Sequence, residues 1–277
     1  MASLEFSEPV AIENTNACPN CGADVHGKYC SACGQKRIEK HEFALRHFAG
    51  HLLHEITHLD SNKIIRTLKA LVFQPGLLTK EYLAGRKGQY INPIRIYLTV
   101  SAIYFLFAWG ALANAGGGGV RDMETRPFFV QMAQRKGVDP AVLALKVQEK
   151  AGKYSAFLRF ASVLLSGLFL MLLYRGTGRY YVQHLIFSLH FYAFDFLAKC
   201  LVAILYLTSD YTTHALYVGS RTGYYVVAFV YIFFALARVY GQSRSITLAK
   251  AIAQFLFEVG LFIAINIVGF AIALSFA

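Results

Sequence analysis

The chain has 277 residues, 56% of them hydrophobic and 15% aromatic, with a mean hydropathy of +0.43 and a formal net charge of +11. This composition is too apolar for an ordinary soluble domain and predicts an all-α integral membrane protein. Much of the positive charge lies beside apolar segments, which indicates positive-inside topology and contact with anionic lipid headgroups. Nucleic acid is therefore not expected as a partner.

A cysteine-rich segment, residues 17–36, follows a tail, residues 1–16, that is predicted to be disordered. The segment holds two Cys-x-x-Cys pairs, and a glycine follows the second cysteine of each pair. Two such knuckles close a tetrahedral zinc site, and so short a peptide depends on the metal for its folding energy. Two disulfides or a thioredoxin-like redox pair fit less well, because no βαβ pattern surrounds the pairs. The predicted ligands of a structural Zn²⁺ are Cys18, Cys21, Cys30 and Cys33.

Residues 41–93 are predicted to form an amphipathic, basic platform on the membrane surface, because none of their apolar runs is long enough to cross. A helical pattern covers the first part, and four histidines form a stripe about a third of a turn from its apolar face. The stripe indicates either a second metal site or the polar face of an interfacial helix. The second interpretation is favoured, because no cysteine and no carboxylate except Glu55 lies near the stripe. Its members are His47, His51, His54 and His58. The basic side chains expected to face lipid are Lys80, Arg86, Lys87 and Arg95.

Residues 94–277 are predicted to form a helical transmembrane domain. About five segments have roughly the 17–25 apolar residues that a hydrocarbon core of about 30 Å requires. They are expected near residues 94–113, 157–174, 182–207, 224–240 and 248–277. The polar segment 114–156 is expected to hold two short helices outside the cytoplasm, although it carries more basic than acidic residues. Basic residues crowd the N-terminal side of the first span, and the ribbon thiols need a reducing compartment, so the N-terminus is expected in the cytoplasm and the C-terminus outside.

The third span contains polar residues at bilayer depth. A charge there costs roughly 2.5–3.5 kcal/mol, so each should have a partner or a role. Asp195 and Lys199 are expected to pair, since they lie four residues apart on one face. Glu258 and Asn266 of the fifth span are expected as cross-helix partners, with Glu258 directed to Lys199. The arrangement indicates either a proton or substrate path, or an ion pair with interfacial histidines. The candidate intramembrane site is His184, His190, Asp195, Lys199 and Glu258.

Several short motifs support a resemblance to a known family. They are Cys18-x-x-Cys21-Gly22, Tyr29-Cys30-x-x-Cys33-Gly34-Gln35, Phe73-Gln74-Pro75-Gly76, Tyr82-Leu83-Ala84-Gly85-Arg86-Lys87, Tyr90-Ile91-Asn92-Pro93 and His184-Leu185-Ile186-Phe187-Ser188-Leu189-His190-Phe191. With them the chain resembles a bacterial family of unknown function, membrane proteins with an N-terminal four-cysteine zinc ribbon. The resemblance implies no activity. It implies that segment 73–93 and the paired histidines of the third span belong to a shared site, and it places the chain in the bacterial inner (cytoplasmic) membrane.

Three hypotheses for function follow. A non-enzymatic adaptor or complex subunit would bind a cytoplasmic protein partner through the ribbon. A transporter or channel would use the polar residues of the third and fifth spans. A membrane enzyme would act on lipid headgroups with the histidine stripe as a metal site. The first is favoured, because the ribbon is a binding module and no catalytic motif is present, so no catalytic residue is assigned.

Overall fold

The computed structural model describes residues 17–35, 61–114, 124–208 and 214–276. The predicted disordered tail and the histidine stripe, His47 to His58, lie outside the described residues. Within those ranges the regular structure is entirely α-helical, in agreement with the predicted fold class. The helices are α1 (Ser61–Phe73), α2 (Leu77–Leu83), α3 (Pro93–Asn114), α4 (Pro127–Lys136), α5 (Pro140–Leu173), α6 (Tyr181–Thr208), α7 (His214–Tyr240) and α8 (Arg244–Phe276).

Four of the described helices, α5 to α8, are long and apolar enough to cross a membrane. Their outward faces carry large apolar side chains, among them Phe157 and Ile267, which are 77% and 62% exposed. Helix α3 is also apolar and has 22 residues, and its side chains are described as far as Phe107. The multi-pass helical character predicted from composition is therefore present, and the number of about five spans stays a prediction.

The second predicted span differs in length from the helix that contains it. Helix α5 runs without interruption from Pro140 to Leu173, so residues 140–156 of the polar segment expected at 114–156 continue into the span. The Asp139 carboxylate caps the helix by accepting a hydrogen bond from the Ala141 N–H at 2.7 Å. The break near residue 156 was expected from polarity, but Gly152 in a helix interior costs only about 1 kcal/mol and does not end the helix. Helix α7 likewise begins ten residues before the expected span.

The polar first half of α5 is held by its own small core. Phe129 and Ala133 of α4 pack against Leu143 and Val147 of α5 and Ala273 of α8. This cluster is separate from the main core, which forms around α6. It explains why the helix continues beyond the apolar stretch, since amphipathic packing supplies most helix stability in proteins.

Helix α6 is the central helix of the bundle and contacts α2, α3, α5 and α7. It approaches α5 closely at Gly167, where an added methyl group would lie 3.2 Å from the Leu185 Cα. Small residues at helix contacts allow backbones to approach in this way. Most side chains of α6 are buried, including Phe187, Ala193 and Phe196.

Helices α1 and α2 are joined to the bundle rather than separate from it. The Pro75–Gly76 turn lies against α7, where an added methyl on Gly76 would lie 2.7 Å from the Ala235 carbonyl oxygen. Gly76 has φ of 76°, a left-handed conformation that glycine adopts at little cost. Arg238 of α7 donates a hydrogen bond to the Pro75 carbonyl at 2.8 Å. The platform helices are therefore fixed on the end of the membrane helices.

Candidate functional site

The four ribbon cysteines converge on one point. Their Sγ atoms lie within 4.8 Å of one another, with 3.6 Å between Cys18 and Cys33 and 3.6 Å between Cys21 and Cys30. With a Zn–S bond of about 2.3 Å, a tetrahedral ion separates its sulfur ligands by about 3.8 Å. All four side chains are free thiols, so the alternative of two disulfides does not describe this structure. The arrangement fits a metal site with four sulfur ligands.

The two knuckles have the same local geometry. Gly22 and Gly34 have φ of 78° and 72°. Each donates its backbone N–H to the carbonyl oxygen of the first cysteine of its pair, Cys18 or Cys30, at 2.8 Å. A left-handed residue is needed here to turn the chain around the metal, and glycine adopts it without a Cβ clash.

The backbone N–H of Gln35 lowers the pKa of Cys33 to about 6. At Cys21 the backbone N–H of Ala23 lowers the pKa, but hydrogen bonds with the neighbouring thiols outweigh it and raise the pKa to about 12. Cys33 is therefore the first of these two cysteines to form a thiolate, the form that binds metals.

The ribbon is bound to the platform through the side chain of Gln35. Its Nε2 donates to the Gly85 carbonyl at 2.7 Å, and its Oε1 accepts from the N–H groups of Lys87 at 3.2 Å and Gly88 at 3.0 Å. Gln35 is only 9% exposed. The first knuckle adds a contact, because an added methyl on Gly88 would lie 2.9 Å from Asn20 Nδ2. Both knuckles therefore contact the loop between α2 and α3.

The four basic residues expected to face lipid have different surroundings. Lys80 is exposed, whereas Arg86 forms a two-pronged ion pair with Glu81, with 2.6 Å between Nη2 and Oε1. The hydrogen bond from Arg86 lowers the pKa of the Glu81 carboxyl below its ordinary value of 4.5. Lys87 lies 4.9 Å above the Tyr82 ring, and Arg95 is half-buried. Of the four, only Lys80 is fully exposed.

The two histidines of α6 are buried and have separate partners. His184 Nδ1 lies 2.7 Å from the Tyr240 hydroxyl of α7, and its ring stacks on that tyrosine. His190 Nδ1 lies 3.0 Å from the Thr79 hydroxyl of α2. Both side chains are enclosed by the protein, with exposed fractions of 1% for His184 and 4% for His190. Each connects α6 to a neighbouring element, and the two do not line one path.

A partly open cleft lies between α5, α6, α7 and α8. Asp195 and Lys199 of α6 face it and form the expected ion pair, with 2.5 Å between Lys199 Nζ and Asp195 Oδ2. The Tyr224 hydroxyl of α7 donates to the other carboxylate oxygen of Asp195. Both oxygens of this carboxylate therefore have donors, one of them charged.

Glu258 of α8 enters the same cleft and has its own set of donors. Its Oε1 accepts from the Ser166 hydroxyl at 2.6 Å and from Gln254 Nε2 at 2.7 Å. Its Oε2 accepts from the Tyr192 hydroxyl at 2.7 Å. Polar groups from three helices thus surround one carboxylate inside an apolar bundle. Carboxylates are rare in apolar membrane helices, and those present usually have a partner or a functional role.

Residues 61–105 match a family model described as "Protein of unknown function (DUF3667)". The match covers α1, α2 and the first part of α3, including the Pro75–Gly76 turn and the loop that binds Gln35. It agrees with the expected resemblance to an uncharacterised family, and it does not extend to the ribbon or to α6. No curated protein and no solved structure matches the chain.

Glu258 and Asn266 are expected as cross-helix partners of the third span, and of the two Glu258 contacts it, through Tyr192 and not through Lys199. Glu258 accepts from neutral donors, and within the described residues it forms no ion pair with Lys199. Asn266 is exposed and donates to the Phe262 carbonyl of its own helix at 2.7 Å. The pair with Lys199 and the cross-helix role of Asn266 are not found among the described residues, because residue spacing along one helix does not determine how that helix is rotated against another.

Sequence reasoning also missed several groups that form the cleft. Arg159, Tyr192 and Tyr224 line it, and Ser166 and Gln254 donate to its Glu258 carboxylate from behind the lining. The sequence of two helices nevertheless contains a pattern that indicates these polar groups. Ser162 and Ser166 lie four residues apart in apolar α5, and Gln254 and Glu258 lie four residues apart in apolar α8. Polar residues repeated at one turn in apolar helices indicate a common polar face.

Proposed function

We propose that this chain is a multi-pass membrane protein that binds a ligand in the cleft between α5, α6, α7 and α8 and moves it through the membrane domain. The observation that carries the proposal is the convergence of Asp195, Lys199 and Glu258 on one open space. An ion pair that served only to hold α6 together would need neither a cleft nor the carboxylate of another helix beside it. A charge at bilayer depth costs roughly 2.5–3.5 kcal/mol, so selection for a role in ligand binding accounts for all three groups together.

In this proposal the ribbon is a cytoplasmic structural domain that binds Zn²⁺. Four thiolates in a tetrahedral arrangement favour zinc over hard cations, and reduced thiols favour the cytoplasm. The hydrogen bonds from Gln35 to the loop at 85–88 support an intramolecular role, because they hold the ribbon on its own chain. The positive-inside distribution supports a cytoplasmic N-terminus, and the resemblance supports the bacterial inner membrane.

A proteoliposome flux assay tests the transport proposal. Purified protein is reconstituted, and entry of protons, inorganic phosphate or fluorescently labelled lipid is compared with protein-free vesicles. At least one probe is expected to cross faster with wild-type protein and to slow at least tenfold with Asp195→Asn, which removes the charge that Lys199 pairs with. Failure of all these probes to cross faster than in empty vesicles would count against transport.

The chain supplies a matched control for that substitution. Glu149 and Lys153 of α5 form the same i,i+4 ion pair at 2.7 Å, but their side chains are 55% and 60% exposed. Glu149→Gln therefore makes the same kind of change, carboxylate to amide, outside the cleft. It is expected to leave flux unchanged, since an exposed pair contributes about 0–1 kcal/mol. Equal effects of the two substitutions would show that the cleft is not involved.

A second candidate function, a protein adaptor, is favoured by one feature of the ribbon. Tyr29 lies beside the second knuckle and is 63% exposed, and exposed aromatic residues are enriched at protein interfaces. An adaptor is expected to lose a bound partner with Tyr29→Ala while the metal content stays unchanged. Cys18→Ser is expected to lose the same partner together with the metal. Identical partner sets from wild-type and both variants would remove the basis for this function.

A further inference from the structure

Two cationic side chains in the cleft face one aromatic ring. The guanidinium carbon of Arg159 in α5 lies 5.0 Å from the centre of the Phe262 ring, and Lys199 Nζ lies 5.3 Å from the same centre. Arg159 also lies 5.9 Å from the Tyr104 ring of α3. Both positive charges are therefore held near one part of the cleft wall by contacts with ring faces.

The two cations differ in how their charge is balanced. Lys199 is paired with Asp195, and the remaining oxygen of that carboxylate accepts from Tyr224. The oxygens of Glu258 accept from three neutral donors. Arg159 forms no ion pair with any residue that the structure describes. Arg159 is half-buried, and contacts with aromatic rings offset part of the cost of its partial desolvation, but they do not neutralise a charge inside a membrane helix.

The rest of the cleft surface is mostly hydrocarbon. Its apolar lining comes from α6, α7 and α8 and includes Phe191, Ile232, Phe255, Val259 and Ile265. A small inorganic anion would lose its hydration in such surroundings without a partner for most of its surface. A ligand that carries an anionic group on an apolar body matches both parts of the lining, because its anionic group meets the guanidinium while its chain contacts the apolar wall.

We propose that the cleft binds an anionic amphiphile, with its anionic group on Arg159 and its hydrocarbon part along the apolar wall. Anionic phospholipids are ligands of this class. Arginine suits the role because its planar guanidinium donates two parallel hydrogen bonds to a phosphate group. Lys199 is close enough to the same ring to contribute a second positive charge. This assignment rests on the proposed function, because it names the ligand class of the same cleft.

The test measures binding to the full-length protein in a neutral detergent. Dioctanoyl phosphatidylglycerol, dioctanoyl phosphatidylcholine and inorganic phosphate are titrated separately, and the shift in thermal unfolding temperature gives each apparent affinity. Wild-type protein is expected to bind the anionic lipid about tenfold or more tightly than the zwitterionic lipid, with no shift from phosphate alone. Arg159→Gln is expected to bring the ratio of the two lipid affinities close to one.

Two further variants keep the result interpretable. Arg175→Gln removes the same charge from an exposed position at the end of α5 and is expected to leave the lipid ratio at the wild-type value. Arg159→Lys keeps the charge but loses the two-pronged geometry, and it is expected to weaken binding of the anionic lipid several-fold. If Arg159→Gln does not fold, this conservative variant carries the test.

Each alternative outcome is decisive. Equal affinities of the two lipids for wild-type protein, or the same loss in Arg175→Gln as in Arg159→Gln, would overturn the proposal. An equal shift from inorganic phosphate alone would replace the amphiphile with a free anion. Binding of the anionic lipid through Arg159 without flux in proteoliposomes would reject transport and keep the ligand assignment. Flux without preference for the anionic lipid would reject the ligand assignment and keep transport.

Discussion

Replacing Gln35 by alanine is the most direct test of how the ribbon is attached. The substitution removes three hydrogen bonds, one to the Gly85 carbonyl and two from the N–H groups of Lys87 and Gly88. We call the ribbon docked when it lies on the loop at residues 85–88 and undocked when it has separated from that loop. At a net 0.5–1.5 kcal/mol for each hydrogen bond, the substitution destabilises the docked state by about 1.5–4.5 kcal/mol relative to the undocked state. The undocked population is therefore expected to rise roughly 10- to 2,000-fold.

Amide hydrogen exchange in the loop measures this change. The Gly88 N–H is protected by the Gln35 side chain in the docked state, so Gln35→Ala is expected to speed its exchange by at least about tenfold. The Lys87 N–H also donates to the Gly85 carbonyl at 3.0 Å, so its exchange is expected to change less. Gln89→Ala is the matched control, because Gln89 is an exposed glutamine in the same loop. Metal content is measured for both variants, so that undocking is distinguished from unfolding of the ribbon. Unchanged exchange in Gln35→Ala with one metal ion per chain would refute the attachment.

Three further predictions concern the metal, a turn and an ion pair. Removal of the metal by a chelator, or by Cys18→Ser, is expected to speed amide hydrogen exchange in the 85–88 loop as Gln35→Ala does. The reason is that a structural metal site supplies on the order of 10–16 kcal/mol of folding free energy to so small a domain. Exchange at the wild-type rate in metal-free protein would contradict this prediction. Gly76→Ala is expected to destabilise the protein by at least about 2 kcal/mol in thermal unfolding, since its φ of 76° and its contact with the α7 backbone both oppose a side chain. Gly152→Ala is the control, because it has open space and should stabilise its helix slightly. Arg86 lowers the pKa of Glu81, so the stabilisation by this ion pair is present above pH 4.5 and is lost as the pH falls through the lower pKa of the folded protein. Glu81→Gln is therefore expected to lower the free energy of unfolding by less than about 1 kcal/mol at neutral pH and by nothing in acid. A stability difference that does not depend on pH would refute the pair.

The features predicted correctly from sequence are local ones. The convergence of the four cysteines follows from two short Cys-x-x-Cys turns, whose geometry depends on a few neighbouring residues. The pair between Asp195 and Lys199 follows from the helical repeat, which places residues four apart on one face. In both cases the sequence separation is small enough for backbone geometry alone to determine the contact.

The features that sequence could not give depend on tertiary packing. The contact of Gln35 with Gly85 joins residues separated by fifty positions, and nothing in either motif indicates the other. The donors of Glu258 depend on the rotation of α8 about its own axis. The length of α5 was underestimated for another reason. Hydropathy marks where a helix is apolar, but backbone hydrogen bonds continue through its polar residues when a partner such as α4 covers them.

The close contact at Gly76 has a mechanical consequence. With the backbone of the Pro75–Gly76 turn lying against Ala235, α7 has no room to slide or turn beneath the platform without first separating from it. The hydrogen bond between Thr79 and His190 restrains α6 in the same way. One side of the cleft is thus a fixed frame. Helix α8 lacks any such fastening to the platform among the described residues and is held by α5 and α7 instead, so it can be displaced without separating the bundle from the platform.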